Sequence, residues 1–272
     1  MNTVSESGTV PARPIALSVI APCYNEEGNI DRLAERTLTT FDAMSVDGEI
    51  LLVDDGSRDA TWERISARVK GDERVRGLRH EVNRGMEEAW RTGLNAARGR
   101  CACLIDADLQ NRPEDIAELY GAFLHGQGDV IQAVRHAVKA ARHRCFFTRG
   151  LNFVLNCVFG MNARDNKSGF LLCRREVLAD ILRHRFGYRY YQSFIGAAAH
   201  VRGYRLGEVD TVFEPRQAGR SFLDRPIRVS LRILWETLQF RWETWFEQPV
   251  ATQVTPADTD ALLVQGSVEA VE

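Results

Sequence analysis

Short apolar runs alternate with stretches of helical period through the first half of the chain. Residues 17–21 are rich in β-branched and apolar side chains and predict a strand. Residues 29–43 place Ile30, Leu33, Ala34, Leu38 and Phe41 at helical spacing. A second strand is expected over 49–53, ending at Asp54-Asp55-Gly56-Ser57. Asp59 then reads as the N-cap of a helix through Trp62, Ile65 and Val69. A third strand is expected over 75–78, followed by a helix over 85–97 with Met86, Ala89, Trp90 and Leu94 on one stripe. A fourth strand is expected over 101–105. Pro113 opens a helix carrying Ile116, Leu119, Tyr120 and Phe123, and a fifth strand covers 129–134.

This alternation predicts an α/β fold, a mostly parallel sheet with helices on both faces. Such sheets take ligands beyond the carboxyl ends of their strands. The polar clusters fall there: Tyr24-Asn25-Glu26 after the first strand, Asp54-Asp55 after the second, Asp106-Ala107-Asp108 after the fourth. The second half is less regular. Helices are expected over 149–159 and 191–200, strands over 170–173 and 206–213, and Pro226 opens a long helix to about residue 246. The sequence divides into an N-terminus (1–14) read as disordered, a main domain (15–225), an amphipathic helix (226–247) and an acidic tail (248–272) likewise read as disordered.

The 44% hydrophobic and 26% charged residues among 272 are those of a globular protein. No run reaches the roughly 18 uncharged apolar residues of a membrane-spanning helix. Residues 151–161 come nearest, and Asn152 and Asn156 interrupt them. Residues 1–14 have no apolar stretch of a secretory leader. Six scattered cysteines without zinc spacing read as reduced thiols buried in the core. The formal net charge of −2 excludes an argument for nucleic acid. It conceals two basic segments. One carries Arg135, Lys139, Arg142, Arg144, Arg149 and Arg164 without an acid. The other carries Arg216, Arg220, Arg225, Arg228 and Arg232 with only Asp224 opposing.

The most informative chemistry is Asp106-x-Asp108-x-Gln110. Side chains two apart at a strand end face the same way, so two carboxylates and an amide oxygen converge. Hard oxygen ligands in that number suit Mg²⁺ or Mn²⁺ shared with a substrate phosphate. At Asp54-Asp55-Gly56-Ser57 glycine permits a tight turn, and a carboxylate there can take a base N–H or a ribose hydroxyl; a capping turn for the next helix is the equal alternative. The Pro22–Glu26 turn would set Tyr24 against a nucleobase.

Taken in order, these segments resemble family 2 glycosyltransferases of the GT-A, Rossmann-like fold. The segments are Ser18-Val-Ile-Ala-Pro-Cys-Tyr-Asn-Glu-Glu, Leu52-Val-Asp-Asp-Gly-Ser and Ile105-Asp-Ala-Asp-Leu-Gln-Asn-Arg-Pro-Glu. The last is similar to the branch with dolichol-phosphate mannose synthase and polyprenyl-phosphate glycosyltransferases. The similarity continues through Asp165-x-x-Ser-Gly-Phe, Arg174-Arg-Glu-Val-Leu, Gly203-Tyr-x-x-x-Glu-Val and Arg216-x-x-Gly-Arg-Ser, roughly residues 15 to 225. It implies an inverting transferase that moves a sugar from a GDP- or UDP-sugar to a polyprenyl phosphate with Mg²⁺ or Mn²⁺. Pro22, Tyr24, Asn25, Glu26, Asp54 and Asp55 would hold the nucleoside. Asp106, Asp108 and Gln110 would hold the metal bridging the donor diphosphate. Arg135 is assigned to the acceptor phosphate. Arg149, Arg216 and Ser221 would meet the acceptor phosphate or the donor pyrophosphate. Asp108 and Arg149 are the residues expected to carry the transfer.

The chain departs from the pattern in places. A Lys-Gly pair is common after the third strand, whereas this chain has Asn83-Arg84-Gly85-Met86, with Arg84 keeping the charge toward the donor. Phe222 stands where a lysine is common, and 187–195 is unusually aromatic. These departures concern the acceptor. An alternative acceptor is a hydroxyl of a glycan or secondary metabolite, which needs a base, for which Asp165 is the candidate. Outside enzymes, the alternative is a non-catalytic nucleotide-sugar-binding protein. The helix 226–246 aligns Ile227, Leu231, Leu234, Leu238, Trp242 and Trp245 with arginines nearby. A Trp-rich apolar face with basic flanks predicts peripheral contact with a membrane, at the cytoplasmic leaflet, with docking on its own domain or in a homodimer as the competing use.

Overall fold

The computed structural model describes residues 15–137, 142–166, 168–215 and 226–246, with side chains 136–149, 226–230 and 246 outside the description. Seven strands form one sheet: β1 (Leu17–Cys23), β2 (Gly48–Asp55), β3 (Val75–His80), β4 (Cys101–Leu104), β5 (Val130–Ala137), β6 (Leu171–Arg174) and β7 (Leu206–Phe213). Their spatial order is β3-β2-β1-β4-β6-β5-β7. All pairings are parallel except those of β6, which runs against β4 and β5. The reversal carries the N-terminal end of β6 to the edge where the other six strands end.

The helices are α1 (Ile30–Met44), α2 (Thr61–Gly71), α3 (Met86–Ala96), α4 (Ile116–Leu124), α5 (Arg142–Phe159), α6 (Arg175–Ile181), α7 (Ile195–Val201) and α8 (Pro226–Glu243). The central strands are mostly apolar and buried on both faces, as a sheet covered on both sides requires. Ile20, Leu51 and Val53 face one core with Trp90, Leu155, Tyr191, Phe194 and Phe240. Val19, Ile50 and Leu52 face the other with Phe41, Ile116 and Leu119.

The periodicity locates these elements closely and errs where side chains do something the pattern does not carry. Asp59 precedes the N-cap, which is Ala60. Its Oδ1 accepts from the Thr61 amide at 3.1 Å, and its Oδ2 from the Glu27 amide at 3.3 Å. Helix α5 begins at Arg142, seven residues before the expected start at 149. Helix α6 is absent from the sequence expectation; it is seven residues long, too short for a period to show. The expectation of uniformly buried cysteines is corrected at Cys157, which is exposed on α5; Cys23, Cys101, Cys103 and Cys173 are buried thiols.

Helix α8 is divided by burial into two faces. Ile233, Glu236, Thr237, Phe240 and Thr244 are buried, whereas Leu231, Trp235, Leu238, Trp242 and Trp245 are each more than 60% exposed. At 3.6 residues per turn the exposed five form one narrow stripe opposite the buried set. The stripe expected from sequence is thus the outer one. Trp235 belongs to it, Leu234 is only half-exposed, and the side chain of Ile227 lies outside the described residues.

Gly93 lets α3 lie against β1. A Cβ there would stand 2.4 Å from Ile20 Cγ2 and 3.3 Å from Val53 Cγ2. Gly93→Ala is expected to destabilise the fold by about 1–3 kcal/mol, the overpacking cost exceeding alanine's helical advantage of about 1 kcal/mol. Urea denaturation measures it; an equal or higher midpoint would mean α3 can shift freely off the sheet.

Candidate active site

The strand-end motifs converge at one edge of the sheet. β1 and β2 are neighbours, so the turn after Cys23 meets the turn after Asp55. Their contact is built from the residues that define both turns. The Asn25 amide donates to Ser57 Oγ at 3.0 Å, and the Arg58 amide to Asn25 Oδ1 at 2.9 Å. The Glu26 amide donates to Thr61 Oγ1 at 2.9 Å, and the Ala60 amide to Glu27 Oε2 at 2.9 Å. Asn25 takes a left-handed φ of 56°, a conformation asparagine tolerates. Tyr24 and Pro22 are half-buried beside this junction.

Asp54 and Asp55 act first on the backbone. Asp54 is fully buried; its Oδ1 accepts from the Ser57 amide at 2.9 Å, and its Oδ2 lies 3.2 Å from Arg79 Nε. Arg79 in turn lies over the Trp62 ring at 5.2 Å. Asp55 accepts from the amides of Arg84 and Gly85, each at 2.8 Å, so it pins the loop that follows β3. Arg84 itself is exposed on that loop.

Beyond β4, Asp108 is buried and its Oδ1 accepts from the Gln110 amide at 3.0 Å. The intervening Leu109 holds a left-handed φ of 58°, unusual for a leucine. The Gln110 amide group donates to the carbonyl of Glu214 at 3.3 Å, tying the motif to the end of β7. Asn111 was not singled out from the sequence. It is buried, its Nδ2 lies 3.5 Å from Asp106 Oδ2, its backbone bridges to Phe213, and its Oδ1 has no hydrogen-bond partner. Its position three residues past Asp108 was the available signal. Among the described residues no three His, Cys, Asp or Glu side chains cluster as an ion site. Two hard carboxylates at a strand end nevertheless fit Mg²⁺ or Mn²⁺, which take one or two carboxylates and complete their shell with water and phosphate.

Arg135 and Asp165 form the far side. The Arg135 guanidinium donates from Nε to Asp165 Oδ2 at 2.7 Å and from Nη2 to Oδ1 at 2.9 Å, and lies 5.3 Å over the Phe213 ring. Burial opposes its charge, but the bonds and charge of Asp165, with Asp106 and Asp108 nearby, hold its pKa above the ordinary value. Asp165 is placed by α5. The two asparagines that interrupt its apolar run hold the 163–166 segment. Asn152 Oδ1 accepts from the Asn166 amide at 2.9 Å, and Asn156 Nδ2 donates to the Ala163 carbonyl at 2.9 Å. Asp165 therefore stands as one half of a bidentate ion pair, a poor state for a base. Arg216 and Ser221, and the side chain of Arg149, lie outside the described residues.

A family model described as glycosyl transferase family 2 matches residues 18–182. An undecaprenyl-phosphate 4-deoxy-4-formamido-L-arabinose transferase from Shewanella sediminis is 30% identical over 207 residues, covering 75% of this chain and 61% of that protein. The transferase of the same description from Aeromonas hydrophila is 32% identical over 168 residues, 61% of this chain and 51% of its own length. The chain thus spans less than two thirds of these relatives. Among solved structures, glucosyl-3-phosphoglycerate synthase from Mycobacterium tuberculosis with Mn²⁺, UDP and phosphoglyceric acid superposes with a TM-score of 0.62 at 22% identity. That match covers 84% of this chain and 78% of the other. A TarS fragment of S. aureus gives a TM-score of 0.57 at 16% identity over 93% of this chain and 70% of that one. The fold is GT-A.

Asp115, in the turn leading from the motif into α4, is buried, and its Oδ2 has no hydrogen-bond partner. Burial raises its pKa to about 6, against the pull of Arg112 at 3.4 Å. The folded chain holds this proton more tightly than the unfolded chain does. Its carboxylate therefore costs nothing below the ordinary carboxylate range and counts against the fold as pH rises through about 6. Asp115→Asn is expected to melt a few degrees above the parent chain at neutral pH, the gap narrowing toward pH ~4. A gap independent of pH in thermal melts would remove burial as the cause.

Proposed function

The chain belongs to glycosyl transferase family 2, and from that premise we propose that it transfers a sugar from a nucleotide sugar to the phosphate of a polyprenyl phosphate, with inversion. The observation that carries the choice of acceptor is the Arg135–Asp165 pair. A hydroxyl acceptor needs a base, and the carboxylate suited by sequence to that task is held by both of its oxygens. A phosphate acceptor is already an anion and gives up no proton. The undecaprenyl-phosphate specificity in the names of the Shewanella and Aeromonas relatives supports the same acceptor.

In this reading the turn at Tyr24 and the turn at Asp54–Ser57 frame the nucleoside. Asp54, being buried, also holds its turn through the Ser57 amide. Asp106 and Asp108, with Gln110, face the donor diphosphate. A Mg²⁺ or Mn²⁺ ion held by the two carboxylates would supply positive charge to the departing diphosphate. Arg135, ion-paired with Asp165, presents its guanidinium on the acceptor side. An acceptor phosphate oxygen bonds to the anomeric carbon as the carbon–oxygen bond to the diphosphate breaks, and the electron pair leaves on the nucleoside diphosphate.

No helix among the described residues is long and apolar enough to cross a membrane. The outer stripe of α8 supports a peripheral approach to the lipid, on the cytoplasmic leaflet where anionic headgroups attract basic side chains. Three exposed tryptophans, the exposed Arg232, and Arg241 lying over the Trp245 ring at 4.7 Å make a face of interfacial character.

The chemistry is tested with a panel of UDP- and GDP-sugars and Mn²⁺, with and without polyprenyl phosphate. Asp108→Ala is expected to lower kcat by about 10²-fold or more. Asp165→Asn separates the acceptors: it is expected to lower turnover onto phosphate by about tenfold at most, whereas loss of a general base costs on the order of 10²–10⁴-fold. Turnover requiring no polyprenyl phosphate, or full activity of Asp108→Ala, contradicts the proposal. Membrane approach is checked by co-sedimentation with anionic liposomes: binding should be reversible, weaken with salt and vanish in Trp235→Glu/Trp242→Glu. Unchanged binding by that folded variant would remove α8 from the contact.

A further inference from the structure

His80 ends β3 and Asp55 ends β2, and the parallel register sets the two side by side. Both are buried, at 5% and 3% exposure. His80 Nδ1 lies 2.7 Å from Asp55 Oδ1, and its Nε2 lies 2.9 Å from Thr92 Oγ1 on α3. The same carboxylate collects the amides of Arg84 and Gly85. Asp55 therefore has both oxygens occupied, and His80 sets the plane in which it presents them. Thr92 holds the ring from the other side; its hydroxyl can turn to give or receive, so the arrangement serves a neutral or a charged ring.

The loop so held is packed as well as bonded. Gly56 has a φ of 71°, and a Cβ on it would stand 2.6 Å from Asn83 N and Val82 C. The turn after β2 and the loop after β3 thus lie flush. Gly85, at a φ of 96°, then turns the chain into α3. Between these two fixed points only Asn83 and Arg84 remain, and Arg84 is exposed on the sheet edge that carries Tyr24 and Asp106.

We propose that His80 and Thr92 are positioning residues for the donor: through Asp55 they fix the Arg84 backbone, so that the Arg84 guanidinium meets the nucleotide diphosphate. This rests on the donor reading above, in which this edge takes a nucleotide. Pre-set backbone at an arginine contributes affinity by lowering the ordering cost of binding, and a guanidinium gives a diphosphate charge-assisted bonds. A histidine with no metal spacing, which the sequence offered no use for, thereby becomes part of the site's second layer.

The test is calorimetric titration of the full chain with UDP and with GDP in the presence of Mn²⁺. Arg84→Ala is expected to weaken the nucleotide that the parent chain binds by about tenfold, and His80→Leu by a similar factor. His80→Asn, which keeps a donor at the Nδ1 position, should stay within about threefold of the parent, and Thr92→Val should lose about threefold. In the double variant His80→Leu/Arg84→Ala the loss should match that of Arg84→Ala alone, since His80 acts through Arg84. Steady-state assays should show the His80→Leu loss in donor KM more than in kcat. If folded His80→Leu binds as the parent does, or if the two losses multiply, the proposal is overturned while the donor reading stands. Should His80→Leu fail to fold by circular dichroism, parent-like affinity of Thr92→Val overturns it equally. A parent chain that binds neither nucleotide overturns the donor reading itself and this proposal with it.

Discussion

Six strands end at one edge of the sheet, and a polar group buried there costs free energy unless it is partnered. That requirement organises the molecule. Asp54 is spent on the Ser57 amide and Arg79, Asp55 on His80 and two loop amides, and Asn25 and Glu27 on the opposite turn. The loops that surround the candidate site are cross-braced by the residues that mark the site in sequence. A motif residue in this fold is therefore not automatically a ligand contact; several are the joinery that holds a contact in place.

The reversal of β6 serves the same edge from the other direction. Running against its neighbours, it begins where they end, and the chain before it sets Asp165 beside Arg135 on β5. Asn152 and Asn156 support that segment from α5, whose apolar stripe is otherwise ordinary core. The resulting Arg135–Asp165 pair stands close enough to Asp106 and Asp108 to feel their charge. One side of the site gathers carboxylates and the other a guanidinium already balanced by one of them.

Helix α8 is bound to the domain by its inner face, and its outer face stays largely exposed, with Trp242 6.2 Å from the Phe186 ring. Ile233 and Phe240 enter the core, with Phe240 lying 5.8 Å from the Phe159 ring and 5.5 Å from that of Tyr188. Two acids seven residues apart hold the aromatic 185–190 segment. Glu236 accepts from the amides of Arg189 and Tyr190, and Glu243 from the Arg185 amide and the Tyr188 hydroxyl. Burial first, then the Glu243 bond, pushes the Tyr188 phenol well above its ordinary range, so it remains a donor. The aromatic stretch that departs from the family pattern is thus the seat of α8.

The strand–helix alternation, the parallel sheet and the strand-end clusters were determined by sequence alone, because apolar period and turn residues are local properties of the chain. So were the carboxylates of Asp106-x-Asp108 just past a strand end and an apolar period along 226–246, since both are read from neighbouring positions. Tertiary structure decided what those residues touch. Only the β2–β3 register makes His80 the neighbour of Asp55, only the reversal of β6 gives Asp165 to Arg135, and only the docking of α8 selects Phe240 for the core and Trp235 for the surface. Each is a pairing between residues 25 to 80 or more positions apart or a choice between two apolar faces of one helix, and a one-dimensional pattern contains neither the partner nor the face.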